Sequence, residues 1–282
     1  MSYLLNKAMT PPVLDHAWSL MKDDRSQWCR GMSRKDMEKN LLHHIGTLRE
    51  EVLDGRYRAE PMRSFEILKA DGSKRLICAA PIRDKLVQRA VLTVLEPLGE
   101  SLFMDASFGF RPQCNREMAV AWLREWVRRG WNWLGDADIR ACFDNIPQQG
   151  VLEFLYILCG DTEIVALADQ WINSLPPHFR PGPRGCGLPQ GMVLSPFLCN
   201  LYLHALDERL NEECIPFVRY ADDFIVMGRK QSEATQALEI AGEQLGFLGL
   251  ELHPEKTRVI RSSPRYSFLG YHLPDGRPRF RA

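Results

Sequence analysis

The chain lacks several things, and each absence narrows what it can be. None of its eight cysteines pairs at CxxC spacing, and 282 residues can bury a core without covalent staples. Free thiols in a reducing compartment are expected, with neither a disulfide framework nor a structural zinc. No stretch approaches the ~18 uninterrupted apolar residues of a membrane span, and no basic segment followed by an apolar run opens the sequence. A cytoplasmic protein is expected, neither secreted nor membrane-spanning. An excess of one charge is missing too, since 36 basic residues balance 36 acidic ones. A nucleic-acid enzyme of this composition must segregate its basic residues onto one face, so the total neither supports nor excludes one. There are no internal repeats and no low-complexity linker, and no sharp domain boundary shows.

What is present centres on Tyr220-Ala221-Asp222-Asp223. Ile215 to Arg219 precede it and Phe224 to Gly228 follow, both rich in β-branched and aromatic residues. The pattern predicts strand, tight turn, strand, with two adjacent carboxylates at the turn. Asp-Asp suits a solvated hairpin tip equally well, so any chemistry depends on residues elsewhere.

Around this centre, Leu14, Ala17, Trp18 and Met21 have helical spacing. Ser33 is placed to cap a helix that carries Leu41, Leu48 and Val52 and ends near Gly55. Phe65–Leu68 and Arg75–Cys78 flank Asp71-Gly72 as a hairpin, with Lys69, Lys74 and Arg75 at its tip. A helix from Pro81 is expected to stop near Pro97. Ala119, Trp122, Leu123, Trp126 and Val127 form a core-facing helical stripe, and Trp131–Asp138 reads as a strand ending in an acid. Ser195-Pro196 opens another helix with Ser as its cap, and Ala234 to Leu248 form a last amphipathic one.

Three features then combine: Asp138 at a strand end, the glycine-rich run Arg184 to Gly191 feeding a helix, and Asp222-Asp223. Joining a nucleotide to a 3′-hydroxyl is an in-line attack on a phosphate already crowded with negative charge. Two Mg²⁺ ions about 3.5–4 Å apart can activate the attacking oxygen and neutralise the leaving pyrophosphate. Mg²⁺ takes hard oxygen ligands and keeps some waters, so two or three carboxylates on neighbouring strands suffice. A lone aspartate of this kind is usually structural; the combination has the parts of a metal-dependent nucleotidyl transferase.

Tyr220-Ala221-Asp222-Asp223 resembles the signature of reverse transcriptases, and further motifs follow the family's order. Asp138-Ile139-Arg140-Ala141-Cys142-Phe143-Asp144 resembles its first palm motif. Gly187-Leu188-Pro189-Gln190-Gly191 with Ser195-Pro196 is similar to its template- and nucleotide-contacting loop. Gly249 to Thr257 and Phe268-Leu269-Gly270-Tyr271 resemble the next motif and the primer grip. Lys69 to Arg75, Arg83-Asp84-Lys85 and Gln88 match the fingers. Ser107 to Pro112 and the amino-terminal helix resemble the bacterial group II intron-like branch. Met62 to Phe65, Lys69 to Gly72 and Arg83 to Leu92 look most like CRISPR-associated reverse transcriptases.

The resemblance implies an α+β right-hand polymerase with an antiparallel palm sheet. Residues 1–60 would form an amino-terminal helical extension of the fingers. The fingers would take 61–117 and 160–192, and the palm 118–159 and 193–273. Few residues follow Tyr271, so the helical thumb that usually comes next is expected to be absent, and with it much of the grip on nucleic acid. By position, Asp138, Asp222 and Asp223 would hold two Mg²⁺ ions, with Mn²⁺ as a substitute and the Ile139 carbonyl as an extra ligand. Phe143 would exclude a ribose 2′-hydroxyl, and Lys74 and Arg75 would clamp the triphosphate. Gln190 and Gly191 would let backbone approach nucleotide and template. Two roles are open for Lys256, protonating pyrophosphate or facing phosphate as a solvated charge. Two are open for Arg111, template contact or bracing of the fingers.

The implied activity is RNA-directed DNA synthesis from dNTPs on an RNA template and DNA primer. Its implied setting is cDNA synthesis for CRISPR spacer acquisition beside an adaptation integrase complex. A group II intron maturase-type fragment and a non-catalytic RNA-binding subunit are the alternatives.

Overall fold

The computed structural model describes residues 2–68, 74–175 and 182–273, and the architecture there is α+β. Helices α1 (Tyr3–Ala8) and α2 (Pro11–Ser19) open the chain. The Ser33 hydroxyl accepts from the Asp36 N–H and caps α3 (Arg34–Glu38), as its position predicts. The expected continuous helix does not form, because α4 (Leu41–Leu53) starts afresh after Asn40, which sits outside helical geometry at φ −135°. Asn competes for its own backbone in this way and favours helix boundaries over interiors.

Strands β1 (Arg63–Leu68) and β2 (Lys74–Ala79) pair antiparallel, and the tip that joins them lies outside the described residues. Helix α5 (Ile82–Leu102) runs through Pro97 instead of stopping there. Val94, Leu95 and Gly99 are buried on either side of the proline, and that packing offsets the lost hydrogen bond. Next come α6 (Arg116–Arg128), β3 (Trp133–Asp138), the single turn α7 (Cys142–Asn145), α8 (Gln148–Cys159) and α9 (Thr162–Ile172). The chain finishes with α10 (Ser195–Glu212), β4 (Phe217–Tyr220), β5 (Asp223–Gly228), α11 (Gln231–Phe247), β6 (Arg258–Arg261), β7 (Ser267–Phe268) and β8 (Tyr271–His272). Ser195 lies inside α10, and its hydroxyl donates to the Pro189 carbonyl instead of capping the helix. Among the described residues no helix is long and apolar enough to cross a membrane.

The chain divides into two compact units, Met1–Ser101 with Pro147–Leu198, and Leu102–Ile146 with Cys199–Ala282. In the first unit a buried polar network ties three segments together. The Tyr57 hydroxyl donates to Asp84 Oδ1 at 2.6 Å and accepts from Trp171 Nε1 at 2.9 Å, while Asp84 Oδ2 accepts the Glu60 N–H at 2.9 Å. This links the segment ahead of β1 to α5 and α9, so residues 1–60 share a unit with the β1–β2 hairpin.

The second unit is built on an antiparallel sheet of order β4-β5-β3-β6. Helix α11 packs on β3 and β5, and α6 packs on β4. Between sheet and α6, Leu134, Val218, Ile225 and Met227 meet Ala119 and Leu123 in a dry core. Trp122 and Trp126 border that core, and the Trp122 indole donates to the Phe217 carbonyl at 3.0 Å. Residues 106–108 lie along the outer edge of β4. Arg219 N–H donates to the Ala106 carbonyl and the Arg219 carbonyl accepts from Phe108 N–H, both at 2.8 Å. That pairing places residues 102–117 with the sheet, a different division from the one the resemblance implies. The 147–159 segment likewise falls in the first unit, where α8 packs on α9.

Candidate active site

Tyr220 pairs with Asp223 and closes the β4–β5 hairpin over a two-residue turn, Ala221-Asp222, with Ala221 left-handed at φ 61°. The two carboxylates are therefore not both at the turn. Asp222 occupies it, while Asp223 is the first residue of β5 and lies opposite Asp138, the last residue of β3. One residue of register decides this, because the hairpin pairing starts immediately after Asp222.

Ile139 bridges Leu252, with bonds from Arg140 N–H to the Glu251 carbonyl and from His253 N–H to the Asp138 carbonyl on either side. Ile139 is thus a non-hydrogen-bonded partner of Leu252, and its own amide and carbonyl face the other way. Its N–H donates to the Asp222 carbonyl at 3.4 Å. The Gly249–Thr257 segment lies along this end of β3 and brings in Lys256, whose ammonium bonds the Asp138 carboxylate.

The electrostatics follow from this crowding. The Asp223 carboxyl is open to solvent on one side but set against protein on the others. Its pKa is pushed up to about 6, first by desolvation and then by the negative charges of Asp138, Asp222 and Asp136. Lys256 works against that rise, and its own pKa is raised by its bond to Asp138. Asp136, two residues before Asp138 in β3, is a fourth acid that motif reasoning passes over. Burial raises its pKa, and Arg258 3.4 Å away opposes the rise. The alternation of a strand, which sets residues i and i+2 on one face, is the signal that could have found it.

Among the described residues, no three His, Cys, Asp or Glu side chains converge as a ready-made metal cage. In chemistry the donors nonetheless fit a hard divalent cation: all are carboxylate oxygens, and burial together with their mutual repulsion disfavours the ionisation of Asp223. Asp138, Asp222 and Asp223 are the residues that would hold such an ion.

The turn itself is braced by residues that local sequence reasoning missed. Arg219, fully buried in β4, binds Asp207 of α10 through a fork, Nε to Oδ1 at 2.7 Å and Nη2 to Oδ2 at 2.5 Å. Its Nη1 donates to Asn200 Oδ1 at 2.9 Å and to the Ala221 carbonyl at 3.0 Å. Asn200 in turn donates to the Gly109 carbonyl. Gly109 lies so close to the turn that a Cβ there would collide with the Ala221 nitrogen. The available signal was an arginine in an otherwise apolar strand, since a charge is fully buried only when paired.

The remaining expected residues fall as follows. Phe143 in α7 is half-buried, with its ring edge-on to Phe110 at 6.0 Å and 86°. Arg111 donates to the Met104 and Ser107 carbonyls, and its guanidinium lies over the Phe103 ring, so it braces its own loop in the second unit. In the first unit the Gln190 carbonyl accepts from Cys78 N–H at 2.7 Å. Gly191, at φ 106°, leaves no room for a Cβ because the Cys78 carbonyl fills that space. Its smallness thus serves the packing of this loop on β2, in addition to any ligand approach. Lys69 and the side chains of Lys74 and Arg75 lie outside the described residues.

Residues 67–273 match the family model for reverse transcriptase (RNA-dependent DNA polymerase). The chain is similar to protein YkfC of Escherichia coli K12, 26% identical across 89% of this chain and 76% of that protein. It is also similar to the group II intron-encoded protein LtrA of Lactococcus lactis, 27% identical across 79% of this chain and 48% of LtrA. Among solved structures, a partial Cas6-RT-Cas1–Cas2 complex aligns at a TM-score of 0.50 and 22% identity, over 86% of this chain and 42% of the other. Apo telomerase from Candida tropicalis aligns at 0.59 and 14%, over 88% and 53%. At these identities the two structures speak for the fold alone. The chain spans about half the length of LtrA and of the telomerase, and 42% of the aligned chain of the Cas6-RT-Cas1–Cas2 complex. A family model covering most of the chain, on an antiparallel sheet whose adjoining strands and turn carry Asp138, Asp222 and Asp223, leads to one statement of kinship: the chain belongs to the reverse transcriptase family of RNA-dependent DNA polymerases.

Proposed function

We propose that the chain extends a DNA primer on an RNA template, adding dNTPs to the primer 3′-hydroxyl at the Asp138–Asp222–Asp223 centre. The observation that carries this is the pairing of Asp138 with Asp223 across the β3–β5 ladder, next to the Asp222 turn. When bound there, Mg²⁺, or Mn²⁺ in its place, would supply charge neutralisation at the phosphate and activation of the attacking hydroxyl. The Ile139 carbonyl is the additional oxygen donor in this scheme. Lys256, held on Asp138, is the group poised to donate a proton to departing pyrophosphate. By the resemblance of their own motifs, Phe143 is assigned to the nucleotide sugar, Lys74 and Arg75 to the triphosphate, and Gln190 and Gly191 to template and nucleotide.

Primer extension on an RNA template tests the whole scheme. The wild-type protein is expected to incorporate dNTPs with Mg²⁺, and Asp222→Ala with Asp223→Ala to lose incorporation while RNA binding persists. A wild-type protein that binds RNA but incorporates nothing, with or without co-purified host proteins, would make it an RNA-binding subunit.

For the physiological setting we infer cDNA synthesis for CRISPR spacer acquisition, beside an adaptation integrase. The support is the resemblance of Met62 to Phe65, Lys69 to Gly72 and Arg83 to Leu92 to reverse transcriptases of that kind. RNA-derived spacers that vanish in the Asp222→Ala strain are the expected result. The similarity to LtrA favours a second reading, an intron maturase-type protein. Stimulated splicing of a cognate intron would select it.

A further inference from the structure

We propose that Phe110 is a specificity-determining residue: it fixes the position of Phe143 and thereby sets discrimination between deoxy- and ribonucleotides. This rests on Phe143 as the sugar-facing residue and extends that assignment to a second aromatic.

Four observations carry it. The Phe110 ring meets the Phe143 ring edge-to-face, 6.0 Å between centroids at 86°, a favoured aromatic geometry. Phe110 is 48% exposed, so burial in a core does not account for a large apolar side chain here. Its backbone is left-handed at φ 60°, a conformation that a bulky L-residue adopts only when its surroundings impose it. The loop that imposes it is clamped on both sides. The Gly109 carbonyl is held by Asn200 and the Phe108 N–H by the Arg219 carbonyl. Arg111 ties the following residue to the Met104 and Ser107 carbonyls.

Phe143 needs such a support. It sits on α7, a helix of four residues entered through left-handed Ala141 at φ 45°, and its ring is only half-buried. One turn of helix fixes the Cα but leaves the ring free to swing about χ1. Phe110, on a stem locked to the same turn that bears Asp222, removes that freedom. A ring held in place rejects a 2′-hydroxyl by overlap; a ring that can swing aside admits it.

The test is the ratio of kcat/KM for a dNTP to that for the matching rNTP, measured on one RNA template–DNA primer. Phe110→Ala is expected to lower the ratio about tenfold, through better use of the rNTP. A merely destabilising change depresses both substrates and cannot produce that gain. Phe110→Tyr keeps the ring contact and should keep the wild-type ratio. Phe110→Gly removes both the ring and the backbone strain, so it should lose discrimination without a lower Tm, which separates the ring's effect from any folding defect. Phe143→Ala is the reference, and Phe110→Ala added to it should lower the ratio no further. If Phe143→Ala lowers the ratio while Phe110→Ala and Phe110→Gly leave it unchanged, or lower both substrates together, the proposal is overturned. If Phe143→Ala itself leaves the ratio unchanged, the assignment of Phe143 fails, and the role of Phe110 fails with it.

Discussion

Asp138 and Asp223 are partners across the β3–β5 ladder, directly opposed like charges at the point where two strands end. Like charges so placed destabilise a sheet unless a cation relieves them, and Lys256 on Asp138 relieves one of the two. Burial first, and then this opposition, push the Asp223 carboxyl up to about 6.

Metal dependence should therefore change with pH. Asp223 donates to a cation only when ionised, so protons compete with metal below about pH 6 and cease to compete above it. The Mg²⁺ concentration for half-maximal extension is expected to be flat from pH 7 to 8.5 and to rise toward tenfold per unit below pH 6. Metal titrations of primer extension at a series of pH values measure it. A flat requirement down to pH 5 would show that Asp223 does not bind the metal.

The Arg219–Asp207 pair should behave as a buried charge network. Both side chains are fully buried, and Arg219→Met strands the Asp207 carboxylate without its partner. Breaking a buried pair in this way costs about 3–5 kcal/mol. Arg219→Lys loses the fork and the reach to the Ala221 carbonyl and should fall between wild type and Arg219→Met. Arg219→Met combined with Asp207→Leu should regain much of the Tm. Extension activity should stay low in the double variant, because the turn has still lost its brace.

Gly109→Ala is a small change with a large expected effect. The added methyl meets the Ala221 nitrogen, which is backbone and cannot rotate away. Overpacking of this kind costs ~1–3 kcal/mol, and here it pushes on the turn that carries Asp222. A greater than tenfold loss in the single-turnover rate constant of extension is expected, with a Tm drop of only a few degrees.

Asp84 gives the first unit a pH signature of its own. Burial pushes its carboxyl up to about 6, although the Tyr57 hydroxyl and the Glu60 N–H both favour the ionised form. An acid whose folded pKa lies above its unfolded value near 3.9 takes up a proton on folding between those two values. Its contribution to stability is thus greatest below about pH 4, falls as pH rises to 6 and is level above. Relative to Asp84→Asn, the unfolding free energy of the wild type is expected to fall by about 2 kcal/mol from pH 4 to pH 7. Denaturant titrations at those two pH values measure it.

Local patterns made part of this site legible. The Asp138 strand, the hairpin around Asp222 and the α6 stripe each rest on a periodicity that neighbouring residues impose. The pairing of Asp223 with Asp138 was not legible, because it turns on a register that only the assembled sheet decides. The brace at Arg219 was hidden for a related reason: its side-chain partners Asp207 and Asn200 lie on another element, α10, and nothing local marks them. Pro97 and Asn40 misled in opposite directions. Packing carried α5 through a residue that breaks helices, and no comparable packing carried a helix across Asn40.

The strip formed by residues 106–108 has a consequence for how this protein can meet other chains. An edge strand offers unpaired amides and carbonyls, and a foreign strand can add to them. At Arg219 the edge of β4 is already spent on Ala106 and Phe108. The opposite margin of the sheet is β6, where exposed Arg258 and Arg261 stand at the two ends of the strand. Charges of that kind guard an edge against a foreign strand.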